Sequence, residues 1–238
     1  MTTRPPILRI SVLALCAAVF LAHAGDGTAQ SGPTGGEWPV YGGDLGSTRY
    51  SPLDQINASN VGELEIAWRW SAGNFGPQPE ANYRVTPLMV DGVLFATAGS
   101  RRAAVAIDAV TGETLWVHRM DEGERGRSAP RINSGRGVAY WAPGDGSGDQ
   151  IFYITPGYQM IALDASTGRP LPNFGRDGVV DLTENLRAPD GLDPVGTVGS
   201  SSPPVIVGDV VIVGSAQVSG RRHLSPAAIP GDIRGYSA

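Results

Sequence analysis

A nine-residue pattern occurs twice in this chain and constrains its fold more than any other feature. Ala104-Val105-Ala106-Ile107-Asp108-Ala109-Val110-Thr111-Gly112 lies over Met160-Ile161-Ala162-Leu163-Asp164-Ala165-Ser166-Thr167-Gly168, with Ala, Asp, Ala, Thr and Gly matching in register. The aspartate carboxylate can accept the N–H groups of the turn that follows it, and threonine supports the same turn. Glycine takes the left-handed conformation that closes it. Each copy therefore predicts a strand, a tight turn and a second strand.

Upstream of each copy a small residue and a proline lead into an apolar stretch. These are Thr86-Pro87-Leu88-Met89-Val90, then Ala129-Pro130, and for a third unit Ser202-Pro203-Pro204-Val205-Ile206-Val207. Asp91-Gly92 and Gly208-Asp209 supply hairpin turns after the first and third. A unit thus reads as about four strands, the size of a propeller blade. The two aspartates are 56 positions apart, so loops are inserted. With 33 Gly and 19 Pro punctuating short apolar runs and no long helical period, the chain reads as all-β. One capped turn is expected over residues 60–64, followed by a strand over 65–70. The third unit reaches Gly235-Tyr236-Ser237-Ala238 where its turn-bearing strand should begin. The expectation is a partial β-propeller over residues 37–238, about two and a half blades plus an N-terminal closing strand, belonging to a longer protein.

Ahead of this domain, Arg4 and Arg9 precede an apolar run over residues 12–21, and Ala22-His23-Ala24 offers a small-x-small cleavage site. This predicts a signal peptide over residues 1–24 and a flexible linker over 25–36. No later run approaches the length needed to cross a bilayer, so the exported product is expected in the periplasm. Cys16, the only cysteine, lies in the leader, which leaves neither a disulfide nor a thiolate metal site. All 18 basic residues are arginine. With the two in the leader removed, 16 arginines against 23 acids leave the chain near −7, and no basic stripe for nucleic acid stands out.

Trp38-Pro39-Val40-Tyr41-Gly42-Gly43-Asp44, then Arg49-Tyr50-Ser51-Pro52-Leu53-Asp54-Gln55-Ile56-Asn57, Asn60-Val61 and Leu64-Glu65-Ile66-Ala67-Trp68 carry a more specific signal than the repeats. Together with Gly135-Arg136-Gly137-Val138-Ala139-Tyr140-Trp141, they resemble the dehydrogenases dependent on pyrroloquinoline quinone (PQQ). The likeness is greater to the membrane glucose dehydrogenase branch than to the methanol dehydrogenase branch. The resemblance implies an eight-bladed quinoprotein propeller with PQQ, and usually calcium, near its axis. It also implies an alcohol or sugar substrate and a quinone or cytochrome c acceptor.

PQQ is a flat tricarboxylated quinone, so its site needs cations, hydroxyl or amide donors and flat side chains. The resemblance assigns Arg136 to the cofactor, where a guanidinium can hold a carboxylate or quinone oxygen bidentately. A structural ion pair at a strand end is the alternative. Ser201, Ser202 and Ser215 fall where relatives place hydroxyl donors, although serines beside proline and glycine also form turns. Trp116, ending a repeat, is expected to pack between blades.

Three departures stand out. Ser134-Gly135 precede Arg136 and the adjacent cysteines of many relatives are absent, and Arg84 stands where some carry an acid. Ala216-Gln217-Val218-Ser219 lacks the calcium-holding glutamate of the methanol-oxidising branch. No metal ligand is assigned, and none of the histidines has metal-ligand spacing to another. Asp121-Glu122-Gly123-Glu124-Arg125-Gly126-Arg127 alternates in charge and reads as a solvated connection. The family's aspartate base and quinone-polarising cation are expected C-terminal to residue 238. A non-catalytic propeller scaffold is the competing reading; the segment over residues 37–68 and the Arg136 motif argue against it.

Overall fold

The computed structural model describes residues 32–73, 75–76, 80, 82–217 and 229–238. The expected leader and the first residues of the linker lie outside them.

Strands β1 (Leu88–Val90), β2 (Val93–Ala98), β3 (Ala103–Asp108) and β4 (Thr114–His118) form an antiparallel meander in sequence order. A second meander follows with β5 (Ala139–Trp141), β6 (Gln150–Ile154), β7 (Gln159–Asp164) and β8 (Val179–Asp181). The short β9 (Val198–Gly199) precedes a third sheet of β10 (Val205–Val207), β11 (Val210–Gly214) and β13 (Ile233–Ser237). β12 (Ala216–Gln217) pairs back on β9. Among the described residues, helix is confined to a 3-10 turn at Val61–Glu63, where the sequence predicts one, and to α1 (Gly123–Ser128). These are the blades of an all-β propeller.

The two copies of the repeat are β3 and β7 with their turns. Asp108 Oδ1 accepts the amides of Val110 and Thr111 at 3.0 and 2.7 Å and the Thr111 hydroxyl at 2.9 Å. Asp164 Oδ1 accepts the Ser166 hydroxyl at 2.7 Å, the Thr167 amide at 2.8 Å and the Thr167 hydroxyl at 2.7 Å. Gly112 and Gly168 close the turns at φ +74° and +67°. The donors hold the Asp108 carboxyl below the usual range; at Asp164 burial pushes the other way and the hydroxyl and amide donors outweigh it.

Alternation explains why these strands are apolar on both faces. Phe95, Ala104 and Ala106 pack with Ile151, Tyr153, Ile161 and Leu163 across the seam between the first two blades. The intervening Ala96, Ala98, Val105 and Ile107 pack against Trp68 and Trp70. On the far face of the second blade, Phe152, Ile154, Met160 and Ala162 meet Val211 and Val213 of the third sheet. A strand sandwiched between neighbouring blades buries both sides of its pleat.

Tryptophans fasten the turns of the repeat. The Trp68 indole donates to the Ala109 carbonyl at 3.1 Å and its ring covers Gly112. Trp116 does the same one unit later, donating to Ala165 at 2.9 Å and covering Gly168. Trp116 is therefore an inter-blade residue, as its place in the repeat predicts.

Three sequence expectations are corrected. The second unit does not begin at Ala129-Pro130: its first strand is Ala139–Trp141, because residues 119–135 form a crossover that includes α1. Residues 65–70 join none of the sheets; Trp68 and Trp70 pack on blade one through their side chains. In the second copy the turn is not followed directly by a strand. Leu163 bridges to Pro170, and β8 starts only at Val179, after a loop in which Phe174 packs edge-on to Phe152 with centroids 5.3 Å apart.

Candidate functional site

At one end of the blades lie the start of β1, the β2–β3 turn, the crossover, the start of β5, the β6–β7 turn and the loop before β10. Arg136, Ser201, Ser202 and Ser215, the candidate cofactor residues, all lie at this end.

Arg136 stands just before β5. Its carbonyl accepts the Thr86 amide at 3.1 Å, which fixes the backbone against the first blade. Gly137 needs its φ of +125°, and a Cβ there would meet the Thr86 carbonyl at 2.8 Å. Ser134 is buried, and its amide and hydroxyl donate to Glu80 Oε1 at 2.9 and 2.6 Å. The Arg136 side chain itself is exposed and makes no ion pair or hydrogen bond among the described residues. The ion-pair alternative thus finds no partner there, and a guanidinium on a backbone tied to the first blade is left for another group.

Ser201 and Ser202 lie between β9 and β10, Ser201 partly buried and Ser202 exposed. Their own hydroxyls have no partner among the described residues; the turn is held by Ser200, whose Oγ accepts the Ser202 amide at 3.2 Å. Ser215 differs. Its hydroxyl accepts the Asp232 amide at 3.0 Å and its amide donates to the Asp232 carbonyl at 3.2 Å, so it staples β11 to the approach of β13. Arg84 is exposed and donates to Asn82 at 2.7 Å. Trp141 spends its indole N–H on the Gly208 carbonyl at 3.0 Å.

Two contributors were not legible beforehand. Arg102, in the β2–β3 turn, is 2% exposed and donates only to backbone carbonyls of neighbouring blades. The charge-alternating run is not merely a solvated connection. Glu122 accepts the Thr155 hydroxyl at 2.6 Å and the Gly157 amide at 2.9 Å, and Arg125 forms a two-pronged pair with Asp181, both contacts 2.6 Å. Paired signs within a few residues look the same in sequence whether their partners are water or the next blade. Beside this crossover opens a cleft of about 420 Å³ lined by Ser100, Arg101, Met120, Glu122, Arg127 and Ile132.

An exposed guanidinium on a fixed backbone and two uncommitted serine hydroxyls fit a polycarboxylated planar cofactor such as PQQ. No group of three or more His, Cys, Asp or Glu side chains that could hold a metal occurs among the described residues.

Residues 38–238 match the family model described as "Glucose/ethanol/alcohol dehydrogenase, beta-propeller domain". The glycerol dehydrogenase large subunit of Gluconobacter thailandicus is 30% identical over 88% of this chain and 28% of its own length. The quinohemoprotein alcohol dehydrogenase ADH IIB of Pseudomonas putida is 35% identical over 69% of the chain and 23% of its own. Among solved structures, the quinohemoprotein alcohol dehydrogenase from Comamonas testosteroni superposes with a TM-score of 0.63 at 25% identity, covering 84% of this chain and 25% of that one. The chain therefore spans roughly a quarter of the length of these relatives. A match that runs through every blade described above places it: the chain belongs to the PQQ-dependent glucose/ethanol/alcohol dehydrogenase family.

Proposed function

We propose that these residues form one side of the PQQ site of a periplasmic dehydrogenase that oxidises an alcohol or a sugar and passes the electrons to a quinone or cytochrome c. The observation that carries this reading is Arg136, an exposed guanidinium without a protein partner among the described residues, on a backbone tied to the first blade. Arg136 would hold a cofactor carboxylate or quinone oxygen, and Ser201 and Ser202 would donate from the neighbouring blade. Ser215, engaged with Asp232, would contribute through the strand end it fixes. PQQ, when bound, supplies a quinone that accepts two electrons from the substrate carbon.

A calcium ion beside the quinone belongs to the same reading, with ligands from outside the described residues, which gather no metal-binding cluster. Export is supported by Arg4, Arg9, the apolar run and Ala22-His23-Ala24. Among the described residues no helix is long and apolar enough to cross a membrane. The groups that remove the substrate proton and polarise the quinone would lie outside residues 1–238, so these residues alone would turn over no substrate. The scaffold alternative gains nothing from the relatives named above, which are dehydrogenases by name.

The test is a titration of PQQ into the cofactor-free whole propeller protein that carries these residues, followed by tryptophan fluorescence. Arg136→Ala should weaken binding by about tenfold or more, as expected when a charged hydrogen bond is lost. Unchanged affinity in a folded variant removes Arg136 from the site.

A further inference from the structure

Arg102 spends four hydrogen bonds on one task. Nε donates to the Asn133 carbonyl at 3.1 Å and one terminal nitrogen to Arg131 at 2.6 Å. The other donates to Ile154 at 2.8 Å and Ser200 at 2.5 Å. No carboxylate forms a salt bridge with it among the described residues. Burial pulls the guanidinium down to about 10, with Glu122, Tyr153 and Glu80 opposing, so it remains charged at neutral pH. A buried cation is an expensive way to fill a seam that apolar side chains could close. The identity of its acceptors gives the reason. Residues 131 and 133 lead directly into Arg136, and Ser200 immediately precedes Ser201 and Ser202. Gly135 completes the arrangement: at φ +74° it lies against the guanidinium, where a Cβ would stand 2.8 Å from Nε. The residue before Arg136 is therefore packed on Arg102.

We propose that Arg102 is a positioning residue for the cofactor site. From the turn of the first blade it sets the spacing between Arg136 on the second and Ser201-Ser202 on the third. This rests on the functional reading above and adds to it a residue that touches no cofactor. Arg102 provides charged, forked donors to carbonyls of the crossover, of the last residue of β6 and of the loop before β10. Lysine keeps the charge but not the fork, so it cannot hold acceptors on two loops and a strand end at once.

The test uses the whole propeller protein and four forms: wild type, Arg102→Lys, Arg136→Ala and the double variant, with PQQ affinity read by fluorescence quenching and folding by circular dichroism. Arg102→Lys should fold and lose PQQ affinity on the order of tenfold, as disrupted supporting shells do. In the Arg136→Ala background the same change should cost markedly less, because part of its effect runs through Arg136. A purely structural role gives a lower melting temperature with affinity intact, or losses that simply multiply; either result overturns the proposal. Should Arg102→Lys not fold, Gly135→Ala displaces the guanidinium while keeping its charge and is read by the same cycle. A wild type that binds no PQQ overturns the functional reading itself. Binding by wild type and Arg102→Lys alike overturns this inference alone.

Discussion

At Gly168 two demands coincide. The backbone sits at φ +67°, and the place a Cβ would occupy is 2.5 Å from the Trp116 ring. Gly112 repeats this with Trp68 at 2.6 Å. Neither ring can retreat without losing its indole hydrogen bond to the same turn. Gly168→Ala should therefore destabilise the protein by more than the backbone strain alone, itself about 1–3 kcal/mol. Chemical denaturation against Gly92→Ala checks this, since Gly92 also has a positive φ but nothing within 4 Å of its Cβ position. Equal losses at the two sites would show that the ring contact contributes nothing.

The crossover from the first blade to the second is held at its helix by charge, and this makes it acid-sensitive. Hydrogen bonding from Arg125 holds the Asp181 carboxyl well below the usual carboxylate range, with the Thr183 donors assisting against burial. A depressed folded-state pKa contributes stability that is fully present above the unfolded value, about 3.9, and lost as pH falls through the folded one. The crossover should accordingly stay docked at neutral pH and loosen only below about pH 4. Hydrogen exchange at Gly157, whose carbonyl accepts from Arg125 and whose amide donates to Glu122, reports it. Asp181→Asn should cost no more than about 1 kcal/mol at pH 7, since both side chains are partly solvent-exposed, and should flatten the acid limb. A limb as steep as wild type would place the sensitivity elsewhere. This element also marks the limit of sequence reading. The turns at Asp108 and Asp164 were legible because every partner is local, within three residues of the aspartate. Arg136 is singled out by a contiguous motif. Arg102 and Arg125 are not, because their acceptors lie 29 to 98 and 32 to 56 positions away and nothing in Arg101-Arg102 distinguishes a solvated guanidinium from a buried one.

Among the described residues, two groups of apolar side chains stand out as uncovered. Leu53, Ile56, Leu64 and Ile66 are 51–64% exposed before the first blade, and Val205, Val207 and Ile233 are 56–81% exposed on the third sheet. Patches of this kind on a chain with an open strand edge invite association. Residues 1–238 produced alone should elute as oligomers or aggregates in size-exclusion chromatography with light scattering, and should reduce no dye in the presence of PQQ. A monomer with PQQ-dependent turnover would refute both expectations. The tryptophan clasps add a direction in time. Trp68 closes on a carbonyl 41 residues ahead of it and Trp116 on one 49 residues ahead, so each clasp is made before its receptor. On a chain emerging from a ribosome or a secretion channel amino end first, a blade's outer seam stays unlatched until most of its successor has followed. Assembly then proceeds like a zip drawn one tooth behind synthesis, and a pause within residues 117–165 would leave the first blade open for as long as the pause lasts.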